Sequence, residues 1–192
     1  MKYLLLLSVL FSVQSFANDK DYFDRLDMLK NRISEGAQEN SQLEYISIFP
    51  RNFKKFTETF GYLPERNIKN LYYSSYDHIS ALIKISKTRP DKVMNLMLSI
   101  AIDSNWDADA VNYLQKSLAE LIHSHIDLFL SSFSKIKKDD QKKIIRFVSD
   151  VENHSCYEDY NKILKKLRTR KKILYNDFLA AKNKRMKHKN RG

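Results

Sequence analysis

Residues 110–136 read AVNYLQKSLAELIHSHIDLFLSSFSKI. Val111, Leu114, Leu118 and Leu121 recur at three- and four-residue intervals, and Ile126, Phe129, Phe133 and Ile136 repeat that spacing after a break near Ser124. A period of 3.6 stacks such side chains on one helical face, whereas a half-buried strand would alternate. The stretch therefore predicts two successive amphipathic helices, the first starting near Asn105 to Asp107, and with them an all-α fold.

The same spacing extends in both directions. Upstream, Pro90 opens a helix carrying Val93, Leu96, Met97 and Ile100, a first-turn position where the missing N–H of proline costs nothing. Before it, Ile68, Tyr72, Ser75, Ile79 and Leu82 predict a helix over 67–86, with Leu71, Tyr76 and Ile83 beside that face. Phe53, Phe56 and Phe60 mark a short helix after Pro50, stopped by Gly61 in the left-handed conformation glycine tolerates. Phe23, Leu26, Leu29 and Ile33 predict a first helix over 19–34, followed by a polar stretch from Ser34 to Ser41. Downstream, Asp139 and Asp140 read as the cap of a helix bearing Ile144, Ile145, Val148 and Val151. A last helix runs from about 155 to 181 on the seam Tyr157, Tyr160, Leu164, Leu167, Lys171, Leu174, Phe178 and Ala181, which only Lys171 interrupts. The expectation is a single-domain bundle of seven to eight helices over residues 18–181.

Composition supports that fold class. Three glycines and three prolines are too few for sheets joined by tight turns. Cys156 is alone, so no internal disulfide forms and packing must supply the stability; it reads as a small core residue.

The amino terminus indicates a compartment. Lys2, the apolar run Leu4 to Val13 and the small-residue site Ser15-Phe16-Ala17 have the layout of a cleavable secretory signal over 1–17, too short for a membrane span. A periplasmic or secreted protein is expected.

Charge is segregated. Of the net +11, residues 162–192 hold thirteen Lys and Arg against Asp177, while the remainder of the chain is close to neutral. Residues 182–192, KNKRMKHKNRG, lose the apolar pattern and are expected to be disordered. Lys182, Lys184, Arg185, Lys187, Lys189 and Arg191 would attract an anionic surface such as lipid head groups, at roughly 1 kcal/mol per cation. The tail has no aromatic residue for base stacking, so no specific nucleic acid is indicated.

Catalytic and metal motifs are weak. His123 and His125 lie two residues apart, which splays them about 200° around a helix, where zinc pairs need three- or four-residue spacing. His125, four after Leu121, reads as a boundary residue continuing the seam. The Asp107-Ala-Asp109 pair reads as N-terminal capping. Asp77 and His78 are neighbours and cannot pair on a helix, and no G-x-S-x-G elbow is present. The tyrosines around them, Tyr72, Tyr73 and Tyr76, read as core. No catalytic residue, cofactor or metal site is expected, and the chain is expected not to be an enzyme.

Phe49-Pro50-x-x-Phe53-x-x-Phe56, Phe60-Gly61-Tyr62, Leu71-Tyr72, Asp77-His78-Ile79 and Trp106-Asp-Ala-Asp-Ala-Val-Asn-Tyr113-Leu-Gln115 resemble a group of small secreted all-helical bacterial proteins. Some of these are thought to be immunity partners that neutralise toxins delivered between bacteria. The resemblance covers roughly 43–150 and implies no catalytic residues. It implies a periplasmic binding protein that occludes a toxin or other partner protein, for which exposed Tyr62, Tyr73 and Trp106 are the expected anchors. The alternative is an envelope-associated protein that holds an anionic surface (lipid, lipopolysaccharide or nucleic acid) through its basic C-terminus.

Overall fold

The computed structural model describes residues 19–36, 39–62, 70–105, 109–150 and 154–189, the side chains of 154–157 and 185–189 excepted. Helices and their connections make up all of it, with no strand among the described residues. Helix α1 covers 19–34. It is followed by α2 (Glu39–Ile48), α3 (Phe53–Phe60), a 3₁₀ turn (Tyr72–Ser74), α4 (Ser75–Ser86), α5 (Pro90–Ala101) and α6 (Ala110–Ser124). Then come α7 (Ile126–Ser134), α8 (Lys138–Ser149), α9 (His154–Arg170) and α10 (Lys172–Lys189).

Helices α5 and α6 form the interior. On α5, Val93, Met94, Leu96, Met97, Leu98, Ile100 and Ala101 are buried, so apolar side chains surround most of its circumference, the pattern of a helix with neighbours on all sides. Helix α6 packs against α3, α4, α5, α7, α8 and α9 and buries Val111, Leu114, Leu118, Leu121 and Ile122. Its solvent face carries the strip Tyr113, Lys116, Ser117 and Glu120, again at helical spacing, with Asn112, His123 and Ser124 beside it. One contiguous apolar core runs from Leu26 in α1 to Phe178 in α10.

A chain with three glycines has few left-handed helix ends. Gly36, at φ 94°, closes α1. Gly61 closes α3 differently from expectation: its φ is −78°, an extended conformation open to any residue. It is required for space, because a Cβ there would sit 2.5 Å from the Thr57 carbonyl oxygen. Amide side chains from other elements close several other ends. Asn70 Nδ2 donates to the Gly61 and Glu58 carbonyls at 2.8 and 3.3 Å, at the end of α3. Gln141 Nε2 donates to Phe133 and Ile136 at 2.8 and 2.9 Å, at the end of α7. Gln115 Nε2, fully buried, donates to Phe147 and Asp150 at 2.6 and 2.7 Å, at the end of α8. Each bond supplies a donor to carbonyls at a helix end, where intrahelical partners run out.

The structure differs from the sequence expectation at several helices, and their number among the described residues is ten. Helix α2 falls where no helix was expected, because its buried Tyr45 and Ile46 are neighbours and show no 3.6 repeat. The helix expected over 67–86 becomes a 3₁₀ turn and α4, with Ile68 outside the described residues. The expected last helix is two. Tyr160 Oη donates to the Phe178 carbonyl at 2.7 Å, whereas one straight helix would hold those residues about 27 Å apart. The chain bends at Lys171, the charged position that interrupts the seam, leaving it exposed and bringing Leu167 and Leu174 both into the core. Helix α10 continues to Lys189, past the expected limit at 181, and packs on α8 and α9. Asp139 and Asp140 lie inside the first turn of α8 with Lys137 at the N-cap, so they face the helix dipole without capping it. His125 is exposed at the α6–α7 break and leaves the seam that was expected to continue through it.

Replacing Gln115 with glutamate, its near-isostere, removes the amide donor and sets a carboxylate against two carbonyls. Urea unfolding of Gln115→Glu is expected to show a loss of at least about 1–3 kcal/mol, larger than for Gln115→Met.

Candidate functional site

Large apolar side chains exposed among the described residues are few, and three of them are tyrosines on one side of the molecule. Tyr73 is 85 % exposed, Tyr62 66 % and Tyr76 61 %. The 3₁₀ turn after α3 sets Tyr72 between Tyr62 and Tyr73, with ring centroids 5.3 and 5.1 Å away. One turn further, Tyr76 at the start of α4 meets Tyr113 of α6 edge-on at 5.2 Å. The expectation that Tyr72, Tyr73 and Tyr76 form core is therefore wrong for Tyr73 and Tyr76, and Tyr72 is only half-buried. Tyrosines at consecutive and four-residue spacing around one turn cannot all face inward, and this was the sign of exposure available in the sequence.

A bond at the head of α6 anchors the patch. Tyr72 Oη donates to Asp109 Oδ2. That hydrogen bond, helped by desolvation and the carboxylate charge, pushes the Tyr72 phenol up to about 12. A phenol held neutral in this way is a hydrogen-bonding and stacking surface at neutral pH, not a nucleophile. Asp109 itself stands at φ 54°, ψ −111°, a region that disfavours residues with a Cβ and costs about 1–3 kcal/mol. Its side chain makes no cap to α6, contrary to expectation; the carboxylate faces Tyr72 instead. Below the pair is a small hollow lined by Phe56, Thr57, Gly61 and Val111.

Of the three expected anchors, Tyr62 and Tyr73 are brought together through Tyr72. Trp106 and Asp107 lie outside the described residues, three and two positions before Asp109. Of the six expected cations of the tail, the structure describes the side chains of Lys182 and Lys184. Lys182 is 9 % exposed and lies over the Tyr160 ring, 5.4 Å from its centroid, so its stem is part of the core. Lys184 is exposed; the side chains of Arg185, Lys187 and Lys189, and the whole of Arg191, lie outside the described residues, as do residues 1–17 and the side chain of Cys156.

His78, paired with nothing in the sequence reading, belongs to a buried polar chain. Tyr45 Oη lies 2.9 Å from His78 Nδ1, and His78 Nε2 is 3.4 Å from Asp27 Oδ1, which also accepts from Lys30 Nζ at 2.7 Å. Burial, reinforced by the positive charge of Lys30 and opposed by Asp27, lowers His78 to about 4. His78 and Tyr45 are both 0 % exposed, while the Asp27 side chain reaches solvent, so the chain links α1, α2 and α4 with its imidazole and phenol out of reach of a dissolved substrate. His123 is likewise held, 3.1 Å from Asp159, and diverges from His125 as the spacing predicts. Among the described residues no three His, Cys, Asp or Glu side chains gather to hold a metal ion, and no helix is long and apolar enough to cross a membrane.

No protein-family model, no curated protein and no solved structure matches the chain.

His78 makes stability pH-dependent. Its folded value lies below the ordinary 6.5, so the unfolded chain binds the extra proton as pH falls from 6.5 to about 4. Stability is full above 6.5 and is expected to drop by about 3 kcal/mol across that window. Urea unfolding between pH 7 and pH 4 measures the drop, and His78→Asn should flatten that part of the curve.

Proposed function

We propose that this protein is a non-enzymatic binding protein of the periplasm that occludes a partner protein, in the manner of an immunity protein against a toxin. The observation that carries this reading is the tyrosine patch: exposed Tyr62 and Tyr73 each packed on half-buried Tyr72, which is tethered to Asp109. Tyrosine offers a large apolar face and a polar tip at low entropic cost, and it dominates interface hot spots. A preorganised patch also loses little freedom on binding, which leaves more of the contact energy as affinity. The secretory layout of residues 1–17 would place the protein where a toxin acting on the envelope must be blocked.

A second reading keeps some support. Ile173 is 76 % exposed at the α9–α10 bend, beside exposed Arg168, Lys171 and Lys172. An apolar residue among cations fits contact with an anionic envelope surface through the C-terminal helices.

Affinity capture with residues 18–192, washed at about 0.5 M salt where exposed charges are strongly screened, tests the first reading. One stoichiometric protein should survive, and Tyr73→Ala and Tyr62→Ala should each weaken it by roughly tenfold or more while thermal stability is unchanged. Equal affinity in both variants overturns the patch. Removing residues 185–192, a cut that spares Lys182 on Tyr160, should leave that partner bound; loss of anionic-vesicle binding with no protein partner captured would favour the second reading instead.

A further inference from the structure

Beyond the tyrosine patch, the same two elements continue into a groove. Tyr76, Ile79, Ser80 and Ile83 of α4 face Tyr113 and Ser117 of α6 across it. Lys84, Lys87, Lys116 and Glu120 stand on its rim. Ile79 is buried and forms the floor, the two serines are small enough to leave room, and the Tyr76–Tyr113 pair closes one end.

We propose that this groove receives an acidic amphipathic helix of the partner protein, an inference that rests on the reading of the chain as a protein-binding protein. The first argument is shape. From Tyr76 to Lys87 the α4 side spans eleven residues, about 16 Å, which matches three turns of a docked helix. An apolar floor between two helices is the standard seat for such a helix, read by side chains at i, i+3, i+4 and i+7. The second argument is charge. Lys84, Lys87 and Lys116 are exposed, and none has a carboxylate within 4.0 Å among the described residues, although the body of this chain is rich in acids that pair elsewhere. Three lysines against one glutamate leave the rim positive. A helix presenting Leu or Phe to the floor and Asp or Glu to both edges would satisfy floor and rim together. A bilayer would not reach Ile79, which is buried at the bottom of a concave surface, whereas a helix laid between α4 and α6 would.

The test selects displayed helical peptides, about four turns long, on immobilised full chain at 0.15 M salt, and measures the winners by fluorescence anisotropy. Winners should carry an excess of Asp and Glu beside an apolar stripe. Their affinity should fall by about tenfold or more in Lys84→Glu/Lys116→Glu, a pair of exposed substitutions that leaves the melting temperature unchanged. The same double variant should gain affinity for a winner whose acids are replaced by lysine. Winners without acidic excess, no winners, or acidic winners indifferent to Lys84→Glu/Lys116→Glu would each overturn the proposal. So would phosphatidylglycerol vesicles, or a second copy of the chain in sedimentation, being the species whose binding those substitutions abolish. A captured partner held equally by wild type and the double variant defeats the groove and leaves the Tyr62–Tyr73 reading intact. Failure to capture any stoichiometric partner defeats the wider reading, whatever the peptides do.

Discussion

Burial of α6 on every side but one organises this molecule. The helix touches six others, so its apolar residues must cover most of its circumference, and the face left to solvent carries Tyr113, Lys116, Ser117 and Glu120 with Asn112, His123 and Ser124 beside them. The positions of its neighbours follow from that. Helices α5, α7, α8 and α9 occupy its other faces, and α4 lies alongside the open strip without covering it. Near its N-terminus α6 reaches the surface through Tyr113 against Tyr76, so the tyrosine patch and the groove adjoin along one exposed seam.

Helix ends in this chain depend on side chains from other helices, some more than thirty residues away. Gln115 and Gln141 bring their amides to the ends of α8 and α7, and the Lys166 ammonium donates to the His123 carbonyl at the end of α6. Such bonds form only once the helices have packed, so local ends and global packing stabilise one another. The buried Tyr45–His78–Asp27–Lys30 chain links α1, α2 and α4 in the same way. It costs stability when protonated, and a fully apolar replacement would not have that liability. In return, a polar chain with directional contacts admits one arrangement of three helices where apolar contacts alone would admit several.

The Tyr72–Asp109 bond connects fold to surface. Asp109 holds an unfavourable backbone conformation at the head of α6, and its carboxylate is occupied by a phenol from a turn thirty-seven residues earlier. Strained residues that the surrounding structure fixes in place are found disproportionately where a surface has been shaped for binding. Here the strained residue sits under the most exposed tyrosines.

The 3.6-residue repeat of Val111, Leu114, Leu118 and Leu121 and its counterparts in α1, α3, α5 and α7 was enough to establish helices, because periodic burial is a local property written into spacing. Scarcity of glycine excluded sheets for an equally local reason. Helix α2 was invisible because its buried residues do not repeat, and the bend at Lys171 looked like a lapse because one charged residue on a seam has the same appearance whether a helix continues or turns. The tyrosines around Tyr72 could be seen to be too many for one face, yet which of them reach solvent depends on where α6 lies. The partners of His78 come from helices thirty-three and fifty-one residues away, and the lysines of the groove from two helices that are not adjacent in sequence. The sequence by itself determined the helices and the segregation of charge, since both are sums over neighbouring residues. Tertiary structure alone decided the surface, because exposure is whatever remains after every apolar face has found its partner.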